Sequence, residues 1–144
     1  MKKKYFFFLF LFSIYTGLRA QIKLSASAEV SIVTAGPGEE LYEAFGHSAI
    51  RIKDPVLNFD IIYNYGMFDF NQPNFYSNFA KGNMIYSLAR YDFKYFLASY
   101  KRDKRWLKQQ VLNLTQLEKQ AYFIFFEKNA LSENKNYKYD PYFD

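Results

Sequence analysis

The sequence predicts an α+β domain in which helices pack against a mainly antiparallel sheet. Half of the 144 residues are hydrophobic and 22% are aromatic, so the chain can bury an apolar core. Short apolar runs, some of them alternating with the period of a strand, are separated by Gly, Pro, Asn and Asp turn signals. Helical spacing appears between these runs and is clearest near the end of the chain. The length suits one domain and a secretion signal.

The first 20 residues have the features of a secretory signal peptide. A basic run at 2–4 precedes a largely apolar run at 5–18, and Ala20 is a small residue that suits cleavage. An apolar run of 14 residues is short for a spanning helix, which needs about 20. A retained N-terminal anchor is the alternative. We therefore predict a signal peptide at 1–20 and a mature domain at 21–144, located in the periplasm or outside the cell.

Composition excludes several kinds of chemistry. The net charge of +5 includes four basic residues from the predicted signal, so the mature domain is close to neutral and nucleic acid is not expected as a partner. The chain has no cysteine, which excludes disulfides, thiolate metal sites and a lipid-modified N-terminal cysteine. With a single histidine, a multi-histidine metal site is excluded as well. We expect no metal and no cofactor.

Strand signals dominate the first half of the mature domain. A Gly-Pro-Gly turn at 36–38 ends the first run, and Asp-Pro at 54–55 ends a later one. The predicted elements, in chain order, are a strand over 29–34, a short helix over 39–45 closed by Gly46, a strand over 47–53 and a strand over 59–68. A hairpin through residues 55–58 would pair the last two strands.

Polar residues mark the starts of the helices in the second half. The predicted elements are a short helix from an Asn74 cap through Phe79, a strand over 84–91, a helix from an Asp92 cap to about Lys101, and a strand over 105–114. The alternation within 105–114 is loose, so the pattern there is ambiguous, and we favour a strand.

The last predicted helix begins with a capping box at 115–118, Thr-Gln-Leu-Glu. Its predicted buried face consists of Leu117, Ala121, Ile124, Phe125 and Lys128, widened by Tyr122, Phe123 and Phe126. A helix with so many apolar residues is expected to be buried on most sides. After Leu131 we predict no further helix or strand.

His47 is the first candidate for chemistry, because it is the one residue that titrates near neutral pH. Strand alternation places His47 and Arg51 on one face and Ser48 on the other, so Ser48 cannot share a proton with His47. A histidine at the start of a strand, next to Gly46, suits a general base. The alternative, which residue type alone favours, is a half-buried histidine with one hydrogen bond.

The other motifs favour structural interpretations. Asp54, Asp60 and Asp69 could bind a cation, but solvated loop carboxylates explain them better. Thr115 belongs to a glycosylation sequon and is better explained as a helix cap. The basic run at 101–108 fits a solvated helix end. An aromatic cluster that is mostly core and rim could contribute to an apolar groove for an acyl chain or glycan; it comprises Tyr63, Tyr65, Phe68, Phe70, Phe75 and Tyr76.

Several segments resemble the Lnb N-terminal periplasmic domain family. They are Phe45-Gly46-His47-Ser48-Ala49-Ile50-Arg51-Ile52, Tyr63-Asn64-Tyr65-Gly66-Met67-Phe68-Asp69-Phe70, Asn74-Phe75-Tyr76 with Phe79, Gln109 to Thr115, and Tyr137 to Asp144. The resemblance covers nearly all of residues 28–144. It implies a permuted papain-like fold of the NlpC and lecithin:retinol acyltransferase type, in which a histidine on an early strand precedes a cysteine nucleophile.

The resemblance further implies thiol-based acyl chemistry, namely N-acylation of bacterial lipoproteins, with a phospholipid or lipoprotein substrate at a membrane surface. The family's histidine falls on His47, and its Asn-Cys pair would follow residues 139–144. Since the sequence has no cysteine, we expect a C-terminally incomplete acyltransferase-like or amidase-like domain, inactive as this chain. The alternatives are a non-catalytic binding module for acyl chains or peptides, and a structural protein of the cell envelope.

Overall fold

The structure is a computed structural model that describes residues 22–138. The predicted signal peptide and residues 139–144 of the family resemblance lie outside the described residues. The division of the chain at residue 20 therefore stays a prediction.

Strands and helices alternate along the described chain. Its elements are β1 (Glu29–Ala35), a 3-10 helix (Leu41–Glu43), β2 (His47–Asp54), β3 (Phe59–Met67), α1 (Phe75–Ala80), β4 (Ile85–Asp92), α2 (Phe93–Arg102), β5 (Leu107–Val111), α3 (Gln116–Asn129) and β6 (Asn136–Lys138). The six strands form one sheet in the order β5-β1-β2-β3-β4-β6. Every neighbouring pair is antiparallel, so the predicted α+β class with a mainly antiparallel sheet is confirmed.

The sheet buries side chains on both faces. On one face Phe123 and Phe126 of α3 pack against a cluster that includes Ile52 and Tyr63. On the other face Phe96 of α2 packs against a smaller cluster that includes Ala49. Because β2 lies between these two layers, its residues alternate between the α3 side and the α2 side. His47 and Ala49 share the α2 side, as the alternation predicted.

The buried face of α3 differs from the predicted one. Leu117 is 84% exposed and Phe125 is 57% exposed, while Phe123 and Phe126 are buried. The inward stripe also carries polar residues that bond to the rest of the chain: the Gln120 side chain accepts from the Leu24 amide at 2.8 Å. The centre of the predicted face is therefore wrong, while Phe123 and Phe126, which were predicted to widen it, are buried. The expected burial on most sides is wrong as well.

The expected absence of structure after Leu131 is also wrong. Residues 136–138 form β6, which pairs with the edge of β4. Backbone pairing along a free strand edge stabilises this short segment, and such pairing leaves no side-chain periodicity for sequence reasoning to detect.

The predicted helix caps have different outcomes. The capping box is present in full: Glu118 N–H donates to Thr115 Oγ1, and the Glu118 carboxylate accepts from the Thr115 amide. Asn74 and Asp92 occupy N-cap positions, but neither makes a side-chain cap hydrogen bond. Asn74 has a left-handed backbone, with φ of 56°. Asp92 pairs with Lys94 at 3.2 Å instead.

Asp54 is not a solvated loop carboxylate. It is fully buried and accepts hydrogen bonds from the amide and hydroxyl of Ser25, both at 2.7 Å, and from the amides of Val56 and Leu57. Burial by itself would raise the pKa of Asp54, but these hydrogen bonds outweigh burial and hold the pKa below its usual value. Asp54 thus ties the segment before β1 to the β2–β3 turn.

Candidate functional site

The loop between β1 and β2, residues 36–46, leads to His47 at the end of the sheet and contains three glycines. The amide of Gly36 donates to the Trp106 carbonyl at 2.9 Å, and the amide of Gly46 donates to the Glu43 carbonyl at 3.0 Å. Gly46 has φ of +76°, and a Cβ there would approach the Ala35 carbonyl oxygen to 2.6 Å. Only glycine fits this tight return of the chain without strain. The next residue, His47, begins β2 opposite Ala35.

Asn64 holds the His47 imidazole. His47 Nε2 lies 2.5 Å from Asn64 Oδ1, and Asn64 is 5% exposed. The Asn64 amide nitrogen donates to the Tyr91 hydroxyl at 3.0 Å and to Met67 Sδ at 3.2 Å. A thioether sulfur has no hydrogen to donate, so the amide nitrogen belongs on the Met67 side and the amide oxygen on the His47 side.

This amide orientation assigns the histidine tautomer. Because Asn64 Oδ1 can only accept, His47 Nε2 must carry the hydrogen, and Nδ1 keeps its lone pair in the neutral ring. Burial raises the pKa of Tyr91, so its hydroxyl stays neutral as the outer partner of Asn64. The geometry therefore leaves Nδ1 as the proton acceptor of His47.

Gly66 lies beside the imidazole, and Tyr137 is bonded to Gly66 and lines the same cavity as His47. A Cβ on Gly66 would lie 3.7 Å from His47 Cε1, and Gly66 has φ of +83° where the β3–β4 register shifts. The Gly66 amide donates to the Tyr137 hydroxyl at 2.7 Å. The short strand β6 thus contributes a residue next to the histidine, although sequence reasoning predicted no element there.

A cavity of about 230 Å³ opens beside His47. It is lined by Tyr42, Glu43, Gly46, His47, Asn64, Gly66, Met67, Phe68, Phe70, Tyr100 and Arg105. The aromatic rings of its wall contact one another edge to face. The centre of the Tyr42 ring lies 5.5 Å from the ring centre of Phe68 and 5.4 Å from that of Phe70. A second cavity of about 470 Å³ shares His47 and continues the apolar surface toward Tyr65 and Tyr137.

The predicted aromatic cluster divides between core and cavity. Phe68 and Phe70 line the cavity beside His47, and Tyr65 lines the second cavity. Tyr63 is fully buried beneath α3, while Tyr76 is 77% exposed. Part of the cluster therefore forms the apolar wall that the sequence analysis raised as an option, and part of it is core and surface.

The expected solvated helix end is confirmed at residues 101–104, which are exposed where α2 ends, and Arg105 is an exception. Its side chain is only 6% exposed. Nε donates to the Gly36 carbonyl at 2.9 Å, Nη1 donates to Glu43 Oε1 at 2.7 Å, and the guanidinium lies 4.7 Å from the Tyr100 ring centre. Nη2 is buried and has no hydrogen-bond partner among the described residues. A buried donor left unpaired costs about 1–3 kcal/mol, and more when it is charged.

Of the other predicted candidates, Ser48 contributes to the lining of the second cavity, while Asp60 and Asp69 line neither cavity. Ser48 Oγ faces Thr34 Oγ1 at 3.5 Å on the opposite side of the sheet from His47, as alternation predicted. Asp60 makes a two-pronged ion pair with Arg51, and Asp69 accepts from the Asn71 amide. Within residues 22–138 no group of three or more His, Cys, Asp or Glu side chains is placed to hold a metal ion.

Sequence reasoning missed Asn64, Tyr91 and Arg105. Asn64 carried a usable signal, because it is a polar residue that continues the buried run 61–63 of β3. A polar side chain in a buried strand needs a partner, and His47 is that partner here. Tyr91 and Arg105 carried no such signal, since tyrosine and arginine are common at surfaces.

The fold and this site define a class of protein: an α+β domain whose antiparallel sheet presents a histidine–asparagine pair at the rim of an apolar cavity. The model of the Lnb N-terminal periplasmic domain matches residues 16–144, and the chain belongs to that family. No match was found among curated proteins or among solved structures. Membership of a periplasmic family supports the predicted periplasmic location. In the described range, no helix is both long and apolar enough to cross a bilayer.

Proposed function

We propose that this chain supplies the histidine-bearing part of a thiol-dependent acyl-transfer site in the cell envelope, with His47 as the general base. One observation carries the proposal: Asn64 fixes His47 Nε2 as a donor, so that Nδ1 is the proton acceptor of an imidazole at the rim of an apolar cavity. A half-buried histidine with one hydrogen bond would also fit a purely structural role, so the assay below, and not this bond, separates the two roles.

The nucleophile in this proposal is a cysteine thiolate. The chain contains no cysteine, so the thiol comes from outside these 144 residues, and the chain alone is inactive. The family resemblance implies a permuted papain-like arrangement in which an Asn-Cys pair follows Asp144. It also implies lipoprotein N-acylation as the reaction and a phospholipid or lipoprotein at a membrane surface as the substrate. The aromatic wall of the cavity would suit the apolar part of such a substrate.

The proposed reaction has two balanced steps. His47 Nδ1 takes the thiol proton, the sulfur attacks an ester carbonyl carbon, and the leaving alcohol takes the proton from Nδ1 as the carbon–oxygen bond breaks. The acyl group is then a thioester. An amine attacks the thioester carbonyl, the carbon–sulfur bond breaks, and the amine's proton returns to the sulfur through Nδ1. The products are an amide and the free thiol.

The test is acyl transfer from a fluorescent phospholipid to a synthetic lipopeptide with a free amine. We expect no turnover from the 144-residue chain and turnover from a longer chain that carries the Asn-Cys pair. His47→Gln should lower that turnover by a factor of about 10² or more, the usual contribution of a general base. Ser132→Ala is the control, because Ser132 is exposed and lines neither cavity, and it should leave turnover unchanged. Turnover by the 144-residue chain, or an active His47→Gln variant, would refute the proposal.

A second candidate function is a non-catalytic binding module for acyl chains or peptides. The second cavity favours it, because its aromatic lining extends the apolar surface past His47. This alternative predicts that the chain unfolds cooperatively by itself and binds a short acyl probe equally well after His47→Gln. A broad thermal transition would argue against it, since small domains normally unfold in one step.

A further inference from the structure

The outward face of α3 is largely apolar and exposed. It consists of Leu117, Ala121, Ile124, Phe125 and Lys128, all of them exposed, with Leu117 at 84% and Phe125 at 57%. At 3.6 residues per turn these five residues lie along one side of the helix, away from the side that packs on the sheet. A surface helix normally places polar residues on its outer side, and an exposed apolar stripe marks an interaction site.

The two ends of this face carry opposite charges. Glu118 lies in the first turn, next to Leu117, and Lys128 lies in the last turn. Glu118 Oε2 accepts from the amide and hydroxyl of Thr115, while Oε1 makes no hydrogen bond within residues 22–138. Lys128 forms no ion pair with the described residues. A helix face with an acid at one end and a base at the other is complementary to an antiparallel copy of itself.

One antiparallel register matches both the charges and the side-chain sizes. Residues 118 and 128 have the same midpoint in the helix as residues 121 and 125. A two-fold axis at that midpoint therefore sets Glu118 of one copy level with Lys128 of the other, and Ala121 level with Phe125. The small Ala121 side chain leaves room for the Phe125 ring of the second copy, because packed helices interlock the ridges of one with the grooves of the other. Each contact occurs twice in such a dimer.

The length of α3 sets the expected strength of this contact. The helix has 14 residues and is therefore about 21 Å long. A single helix pair of this length lies at the lower end of specific interfaces, about 1,200 Å² or less in total, where complexes are weak and transient. We expect a dissociation constant on the order of 10–100 µM.

We propose that the outward face of α3 binds a second copy of this chain in an antiparallel, two-fold symmetric dimer. The inference goes beyond the proposed function and does not rest on it. α3 packs on one face of the sheet, and His47 lies on the other face, with α2. The residues that line the two cavities with His47 all lie outside α3. Dimerisation therefore leaves the candidate site open in both copies.

The test is sedimentation equilibrium of the purified chain at low ionic strength, from about 1 to 300 µM, which brackets the expected dissociation constant. The average mass should rise with concentration from that of one chain toward that of two. Ala121→Glu buries a charge at the centre of the interface and should weaken dimerisation at least about tenfold. Ala98→Glu is the matched control, because Ala98 is an exposed alanine of α2, and it should leave dimerisation unchanged.

Two charge reversals test the register. In the antiparallel dimer, Lys128→Glu sets two carboxylates opposite each other at both ends, and Glu118→Lys sets two cations opposite each other. Each variant alone should therefore dimerise about tenfold more weakly than the wild type. When the two variants are mixed, each end of the heterodimer again joins one acid and one base, so the mixture should recover the association of the wild type. A parallel pair would place like charges together in the wild type and would make it as weak as either variant.

Three results would overturn the proposal. They are a monomer at every concentration, an Ala121→Glu variant that dimerises like the wild type, and a mixture of the charge variants that associates no better than either alone. A monomer throughout would assign this face to a different partner or to a further part of a longer chain. If Glu118→Lys fails to fold because it loses its capping bonds, the comparison of Ala121→Glu with Ala98→Glu decides the matter. The measurement involves no acyl transfer, so a failure of the proposed function would leave its result standing.

Discussion

The bond between Asn64 and His47 gives the sharpest prediction from the structure. Asn64→Leu replaces the buried amide with a branched apolar side chain and so removes the oxygen that accepts from His47 Nε2 at 2.5 Å. It also removes the amide hydrogens that reach Tyr91 and Met67. One substitution thus removes three hydrogen bonds: the one that specifies the histidine tautomer and the two that hold the Asn64 amide in place.

The size of the effect follows from the hydrogen bonds. A net hydrogen bond contributes about 1 kcal/mol, so the preference of His47 for the Nε2–H tautomer should fall by about fivefold. The half-buried N–H of His47 and the half-buried Tyr91 hydroxyl would each lose a partner, and the free energy of unfolding should drop by about 1–3 kcal/mol.

The assay is long-range ¹H–¹⁵N NMR of the imidazole, combined with urea unfolding. In the wild-type protein the hydrogen should be on Nε2, and in Asn64→Leu the two tautomers should become more evenly populated. Asn113→Leu, at an exposed position, is the matched control and should change neither measurement. A wild-type hydrogen on Nδ1, or a tautomer ratio that Asn64→Leu does not alter, would refute the assignment of Nδ1 as the proton acceptor.

Three further predictions concern the framework of the site. Asp54→Ala should lower the free energy of unfolding by about 2–4 kcal/mol in urea at pH 7, because four donors lose a buried acceptor. Since the folded pKa of Asp54 is depressed, the stability that its carboxylate contributes is complete above about pH 4 and is lost as the pH falls through the folded pKa. If Asp54→Ala lowered the free energy of unfolding equally at pH 7 and at pH 2, this reasoning would be contradicted. Gly46→Ala should cost about 1–3 kcal/mol in the same assay because of its positive φ and the Ala35 carbonyl, and an unchanged midpoint would refute the strained turn. Phe126→Ala should cost about 3–5 kcal/mol and Leu117→Ala less than about 0.5 kcal/mol, and the reverse order would show that the other face of α3 is buried.

The elements of the sheet could be predicted because their signals are local. The Gly-Pro-Gly turn, the Asp-Pro turn and period-two alternation located β1, β2 and β3 within a few residues of their observed bounds. The capping box located the start of α3, because the motif satisfies its own backbone amides. These features require no knowledge of distant parts of the chain.

The features that sequence reasoning misplaced depend on distant contacts. The buried stripe of α3 includes Gln120, whose value lies in its bonds to Leu24 and Ile22, 96 and 98 residues away. The strand β6 depends on the free edge of β4. Arg105 is buried because it contacts Gly36 and Glu43, which are 69 and 62 residues away in the sequence. None of these pairings leaves a periodic pattern along the chain.

The sequence predicted His47 in the candidate site and raised part of its aromatic wall, Phe68 and Phe70, as an option. His47 stood out by its titration range and by its place after Gly46, and the structure places it beside the cavity. Asn64, which sets its tautomer, is 17 residues away and becomes its neighbour only when β2 and β3 pair. The chemical role of His47 remains a prediction that depends on a thiol.

The most direct measurement of that role uses a chain extended to carry the proposed Asn-Cys pair. It is the alkylation rate of that cysteine, recorded against pH with His47 present and in His47→Gln. If His47 Nδ1 takes the thiol proton, the wild-type cysteine should react at least about tenfold faster near pH 6, because an unassisted thiol with a pKa of about 8.5 is almost entirely protonated there. Equal rates in the two proteins across the pH range would contradict the assignment of His47 as the general base.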